Sequence, residues 1–219
     1  MCFRTARELG LCESDPTWGL DLPRRVRGGV RPLSEDEAIA LRQAAQFAER
    51  PTRHAAAAAL ALSGGHSGEI GHITLADLDG AGRRVWLHGS ARTTPRWCPL
   101  GSWELPVLLA RATLLRGSTS VDPSELKLAV SSRTGSDEQL QARSCVALGD
   151  LLARIGLAAD RSVRPASVTA YAAWELHERT GRIEDAALLL GLSSLDRAAA
   201  VIGHHWHPDP ATRLQEKVN

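Results

Sequence analysis

A-L-A-L-S-G-G-H-S-G-E-I-G-H-I-T-L-A-D-L-D, running from Ala59 to Asp79, begins as an apolar run and stops at a glycine pair. A short polar turn follows, and Glu69, Ile70 and Ile73 then restart a helical spacing that closes on Asp77-Leu78-Asp79. The spacing predicts a helix, a sharp break and a second helix. Upstream, His54 to Leu62 is rich in Ala and Leu and reads as a helix buried on most sides, with Pro51 separating it from an earlier element. That element opens on Ser34-x-x-Glu37, a capping box, and turns Ala38, Leu41, Ala45 and Ala48 inward.

Downstream, Arg84 to His88 reads as a strand and Pro95 to Leu100 as its hairpin partner. Helices are expected from Ser102 to Arg116 and from Asp137 to Ile155, with a short buried strand at Leu126 to Ser131 between them. Pro165 suits the first position of another helix. The expected class is mainly α (α+β), helical with a small antiparallel β-hairpin or three-stranded sheet.

The 219 residues suffice for one main domain, and the formal charge of +1 gives no overall basic field. Cys2, Cys12, Cys98 and Cys145 lack C-x-x-C spacing and read as reduced thiols of a cytoplasmic protein. No apolar run approaches membrane length and no signal peptide is recognisable, so no membrane association is expected. His204, His205 and His207 flank Trp206, but their spacing spreads them around a helix end. They read as structural or exposed, so neither metal nor cofactor is expected.

The Ala59–Asp79 stretch resembles the first catalytic box of the tyrosine recombinases, the phage-integrase family, usually Y-T-G-L-R-I-S-E-L-x-x-L-x-x-x-D-I-D. Gly64, Glu69, Asp77 and Asp79 match, and Pro99-Leu100 and Leu190-Gly191-Leu192-Ser193-Ser194 match later family segments. The resemblance implies an integrase-type catalytic domain over residues 33–204. Residues 1–32 resemble the end of the family's DNA-clamping domain plus its linker, and 205–219 form a C-terminal tail.

The same resemblance exposes losses. The first arginine falls on His66, the hairpin lysine near Ala91, the H-x-x-R pair on Ala166 and Thr169, the later histidine on Leu192 and the nucleophilic tyrosine on Val201. In the family that tyrosine attacks a DNA phosphate, two arginines hold the developing charge, and the lysine and histidines manage protons without a metal. Losing a single preorganised donor typically costs about 2–4 kcal/mol. The resemblance therefore implies a catalytically inactive, DNA-binding relative, associated with integration or recombination of a mobile element or plasmid. The alternative is a protein-interaction module that pairs with an active recombinase or with itself.

Candidate DNA contacts are the linker arginines Arg24, Arg25 and Arg27, the hairpin cations Arg92 and Arg96, and Arg164. Solvated linker and hairpin charges are the other reading of the same residues. His66 is read as an exposed polar turn residue in preference to a phosphate ligand. Trp86, Trp97 and Trp103 are read as hairpin and core packing, with base stacking open for Trp97.

Overall fold

The computed structural model describes residues 30–46, 51–118, 120–130 and 134–204. Its axis is the Ala-rich helix. With α1 at Glu35–Gln46 and α2 at Arg53–Leu62, every α2 residue from Ala55 onward is buried. Small side chains explain how so many neighbours fit. Alanine lets α1, α4 (Glu104–Ser118), α5 (Asp137–Arg154) and α6 (Pro165–Thr180) all pack on one ten-residue helix.

The helix starts are set as their sequences require. Ser34 Oγ accepts from Glu37 N–H at 3.2 Å while Glu37 takes the Ser34 N–H at 2.8 Å. Thr52 caps α2 and Ser136 caps α5. Ala38, Leu41 and Ala45 face the core as their spacing predicts; Ala48 lies outside the described residues.

After α2 the chain turns at Gly64, whose φ of 97° a side chain would resist. The expected second helix is only one turn long, α3 at Ser67–Ile70. Gly71 ends it, and the acidic segment becomes a 3₁₀ turn at Leu75–Asp77 followed by β1, Leu78–Asp79. This strand pairs with β2, Arg84–Leu87, which pairs with β3, Arg96–Pro99, in an antiparallel sheet of order β1-β2-β3. Leu87 opposes Arg96 and Trp86 opposes Trp97. The two-residue period sends Val85, Leu87, Arg96 and Cys98 inward and Trp86 and Trp97 outward. The two Trp rings meet at 5.2 Å, with the Arg84 guanidinium 4.4 Å from the Trp97 ring, so hairpin packing is the role the structure shows for them.

Segment 126–130 is buried as expected but is not a strand. Only Thr74 and Lys127 form a β-bridge, because the segment's neighbour at 73–77 curls into the 3₁₀ turn and offers no further ladder. Two short helices, α7 (Ile183–Leu190) and α8 (Leu195–Ile202), pack a second cluster against Ala173 of α6. Arg31 is clamped to Glu37 at 2.7 Å and to Asp160 at 3.0 Å, which ties the segment before α1 to the loop before α6. No helix among the described residues is long and apolar enough to cross a membrane.

Candidate functional site

The turn after α2, the β2–β3 hairpin, the first turns of α6 and the α7–α8 connection converge on Glu69. The carboxylate is 1% exposed and faces the Arg96 guanidinium in a two-pronged pair, Nη1 to Oε1 at 2.9 Å and Nη2 to Oε2 at 3.0 Å. Thr93 donates its hydroxyl to Glu69 Oε1 at 2.6 Å, and the His66 N–H donates to Oε2 at 2.9 Å. Burial by itself would raise the Glu69 pKa; these donors, Arg96 foremost, outweigh it and hold the acid below its usual range.

Arg96 is the main correction to the sequence reading. It was expected on the surface as a DNA contact, yet it is buried and its remaining donors go to main-chain carbonyls. Nε reaches Leu189 O at 2.7 Å, Nη1 also reaches Thr94 O at 3.0 Å, and Nη2 also reaches Gly64 O at 2.9 Å. A guanidinium has five N–H donors, and here all five are used. Nothing is left to offer a phosphate. The signal was in the sequence: Arg96-Trp97-Cys98 alternates in, out, in, which places the arginine on the core face. Cys98, on that same face, has its thiol pushed up to about 11 by burial.

His66 is likewise not an exposed turn residue. It is half-buried, with Nε2 3.0 Å from Leu190 O. Burial lowers its pKa, against the opposing influence of Glu69, so the neutral ring donates to that carbonyl. Thr169, 3% exposed, donates to Gly65 O at 2.7 Å. The positions matched to the two family arginines thus both bind main-chain carbonyls, one from the turn after α2 and one from the end of α7. Gly191, at φ 65°, closes the arrangement by accepting from Thr94 N–H at 2.9 Å; a Cβ there would meet Arg96 Nη1 at 2.5 Å.

The other assigned positions divide. Leu192 is buried, and Val201 is half-buried against the same apolar cluster. Ala166 and Ala91 are exposed, the latter at the edge of a polar cleft of about 450 Å³ shared with His72, His88 and Asp137. The chain's one tyrosine, Tyr171, is 2% exposed on α6, its hydroxyl directed at Glu175. Arg92 and Arg164 are exposed, as their reading as cationic contacts requires. Arg24, Arg25, Arg27 and the tail lie outside the described residues. Sequence reasoning missed Arg197, exposed on α8 and close enough to His66 to bear on its ionisation.

This arrangement has solved counterparts. The chain aligns with XerA recombinase at a TM-score of 0.64 and 20% identity, covering 85% of this chain and 64% of that one. The fold is that of a tyrosine recombinase catalytic domain. A Tn1549 transposon integrase bound to circular-intermediate DNA shares it at a TM-score of 0.62 and 13% identity, over 99% of this chain and 75% of its own. XerH recombinase on a palindromic difH substrate shares it at 0.62 and 17%, over 85% of this chain but only 51% of that recombinase. No protein-family model and no curated protein sequence matches the chain. Within the tyrosine recombinase fold, the Glu69–Arg96 pair occupies the junction of hairpin, turn and α7, where it ties the three together.

Proposed function

We propose that this chain is a non-catalytic member of the tyrosine recombinase fold that contacts duplex DNA, in the setting of a mobile element or plasmid. The observation that carries the first half is the junction itself. At the two positions matched to the family's arginines, His66 and Thr169 are spent on carbonyls; Arg96, the nearby guanidinium, has no free donor, and the single tyrosine is buried on α6. Phosphoryl transfer needs a nucleophile and preorganised cations acting together, and such groups fail as a unit when parts are removed. A nicked duplex that traps covalent recombinase adducts tests this. No denaturation-resistant protein–DNA species is expected; one would overturn the reading.

DNA contact is supported by where the free cations lie. Arg92 adjoins Thr93, which donates to Glu69; Arg164 begins the helix whose Thr169 holds Gly65; Arg197 bears on His66. Several acids that would oppose them are engaged internally: Asp77 with Thr74 and His88, Asp79 with Arg84, Glu104 with Arg42. The linker arginines Arg24, Arg25 and Arg27 would supply further positive charge for phosphate contact. The structures of the Tn1549 and lambda integrases are DNA complexes, which favours the same partner here. Each phosphate neutralised contributes about 0.9 to the salt slope, so an Arg92, Arg164, Arg197 triple-alanine variant should flatten it by about three units. An unchanged slope would refute this assignment.

Pairing with an active recombinase or a second copy is the other reading, favoured by Leu188 and Leu195, which stand 72% and 40% exposed on adjacent helices. Binding insensitive to salt would support it.

A further inference from the structure

A cavity of about 430 Å³ lies between α1, the start of α4 and α6. Leu189, whose carbonyl accepts from Arg96 Nε at 2.7 Å, forms part of its wall, so the cavity adjoins the Glu69 junction without belonging to it. The polar groups of the wall are incompletely partnered. Arg42 Nε and Trp103 Nε1 are buried and have no hydrogen-bond partner among the described residues, although buried donors are as a rule paired. Glu104 is 6% exposed, and the hydrogen bond it accepts from Arg42 Nη2 is long, at 3.4 Å. Glu175 and the exposed Arg179, one turn apart on α6, add one charge of each sign. Leu62 and Leu176 join Leu189 as apolar wall.

We propose that this cavity binds a free α-amino acid with an apolar side chain. The charges carry the choice. A purely anionic ligand would be opposed by buried Glu104, and a purely cationic one by Arg42. An α-amino acid holds its carboxylate and its ammonium on one carbon, which matches a guanidinium and a carboxylate that stand 3.4 Å apart. The ligand carboxylate is the acceptor that Arg42 Nε and Trp103 Nε1 lack, and the ammonium is the donor that Glu104 lacks. Both nitrogens are shut from bulk water, so the ligand reaches them by opening the long Arg42–Glu104 contact. Its side chain then lies against the leucines. The volume suits this class, since small-molecule sites run from about 300 to 1,000 Å³ and set a few polar groups in apolar walls. Such binding is independent of DNA contact.

Calorimetric titration of the full-length protein with L-leucine, L-methionine and L-phenylalanine tests the site. At least one should bind at one equivalent with a Kd of about 1 mM or tighter, and should raise the unfolding temperature. The tightest of the three is then compared with its own amide, which lacks the carboxylate, and with its deamino acid, which lacks the ammonium. Each analogue should bind at least about fivefold more weakly. Trp103→Phe keeps an aromatic ring and removes the indole N–H; Glu104→Gln keeps the shape and removes the charge. Either should weaken binding at least about fivefold, with circular dichroism to show that the variant is folded. Should Glu104→Gln unfold, Trp103→Phe decides the case. No binding by any of the three amino acids, an analogue that binds as tightly as its parent, or affinity unchanged in Trp103→Phe would each overturn the site.

Discussion

Replacing Arg96 by alanine removes more from this protein than one surface charge. The Glu69 carboxylate is left 1% exposed with its cation gone, and the carbonyls of Leu189, Gly64 and Thr94 lose their donor. Breaking a buried pair from one side costs about 3–5 kcal/mol, because the remaining charge is neither solvated nor matched. Protonation of Glu69 would relieve part of this at acid pH, so the loss is largest near neutrality. For a domain of this size each kcal/mol lowers the midpoint by about 2–4 °C, so Arg96→Ala should lower it by roughly 6–20 °C. Arg92→Ala, four residues away and exposed, is the control and should stay within about 0.5 kcal/mol of the parent.

Urea denaturation followed by circular dichroism gives both values. Glu69→Gln and the double variant complete a cycle whose coupling energy should exceed about 1 kcal/mol. If Arg96→Ala proves as mild as Arg92→Ala, the guanidinium is solvated and the junction does not exist as described.

Thr169→Val should cost about 1–3 kcal/mol by stranding the Gly65 carbonyl, whereas Thr169→Ser should be nearly silent; equal midpoints for the two would refute the hydrogen bond. Gly191→Ala should cost about 1–3 kcal/mol through its left-handed backbone and the approach to Arg96, as measured by thermal unfolding. Burial lowers the His66 pKa, so the unfolded chain takes up that proton first; stability from this group is present above about pH 6.5 and declines as pH falls below it. In urea titrations from pH 5 to 8, His66→Gln should remove that decline, and an unaltered profile would assign it elsewhere. Val201→Tyr should not create strand cleavage on a nicked duplex, because the hydroxyl would find neither an arginine fork nor a base; any covalent product would contradict this.

Much of the architecture is decided by local chemistry that one chain carries on its own. Ser34 and Glu37, Thr52, Ser136 and Pro165 open helices where they stand, Gly64 forces the turn, and the period-two run at 84–99 makes the hairpin. Framework residues such as Glu69, Gly191 and Pro99 are legible for the same reason, since each answers a backbone or capping need within a few positions. Side-chain roles that depend on distant partners are another matter. Nothing near Arg96 in sequence reveals that carbonyls 32 and 93 residues away would exhaust its donors, although its inward register was there to be read. Helical spacing through Glu69, Ile70 and Ile73 suggests a full second helix, but the short loop to β1 and the sheet's hold on Asp79 leave room for one turn. The ring contact between His177 and His204, 5.0 Å between centroids, likewise exists only because α7 reverses the chain and brings α8 back along α6. Burial and hydrogen-bond saturation belong to the packed chain, because the groups that exclude water from a side chain and satisfy it come from wherever the fold delivers them.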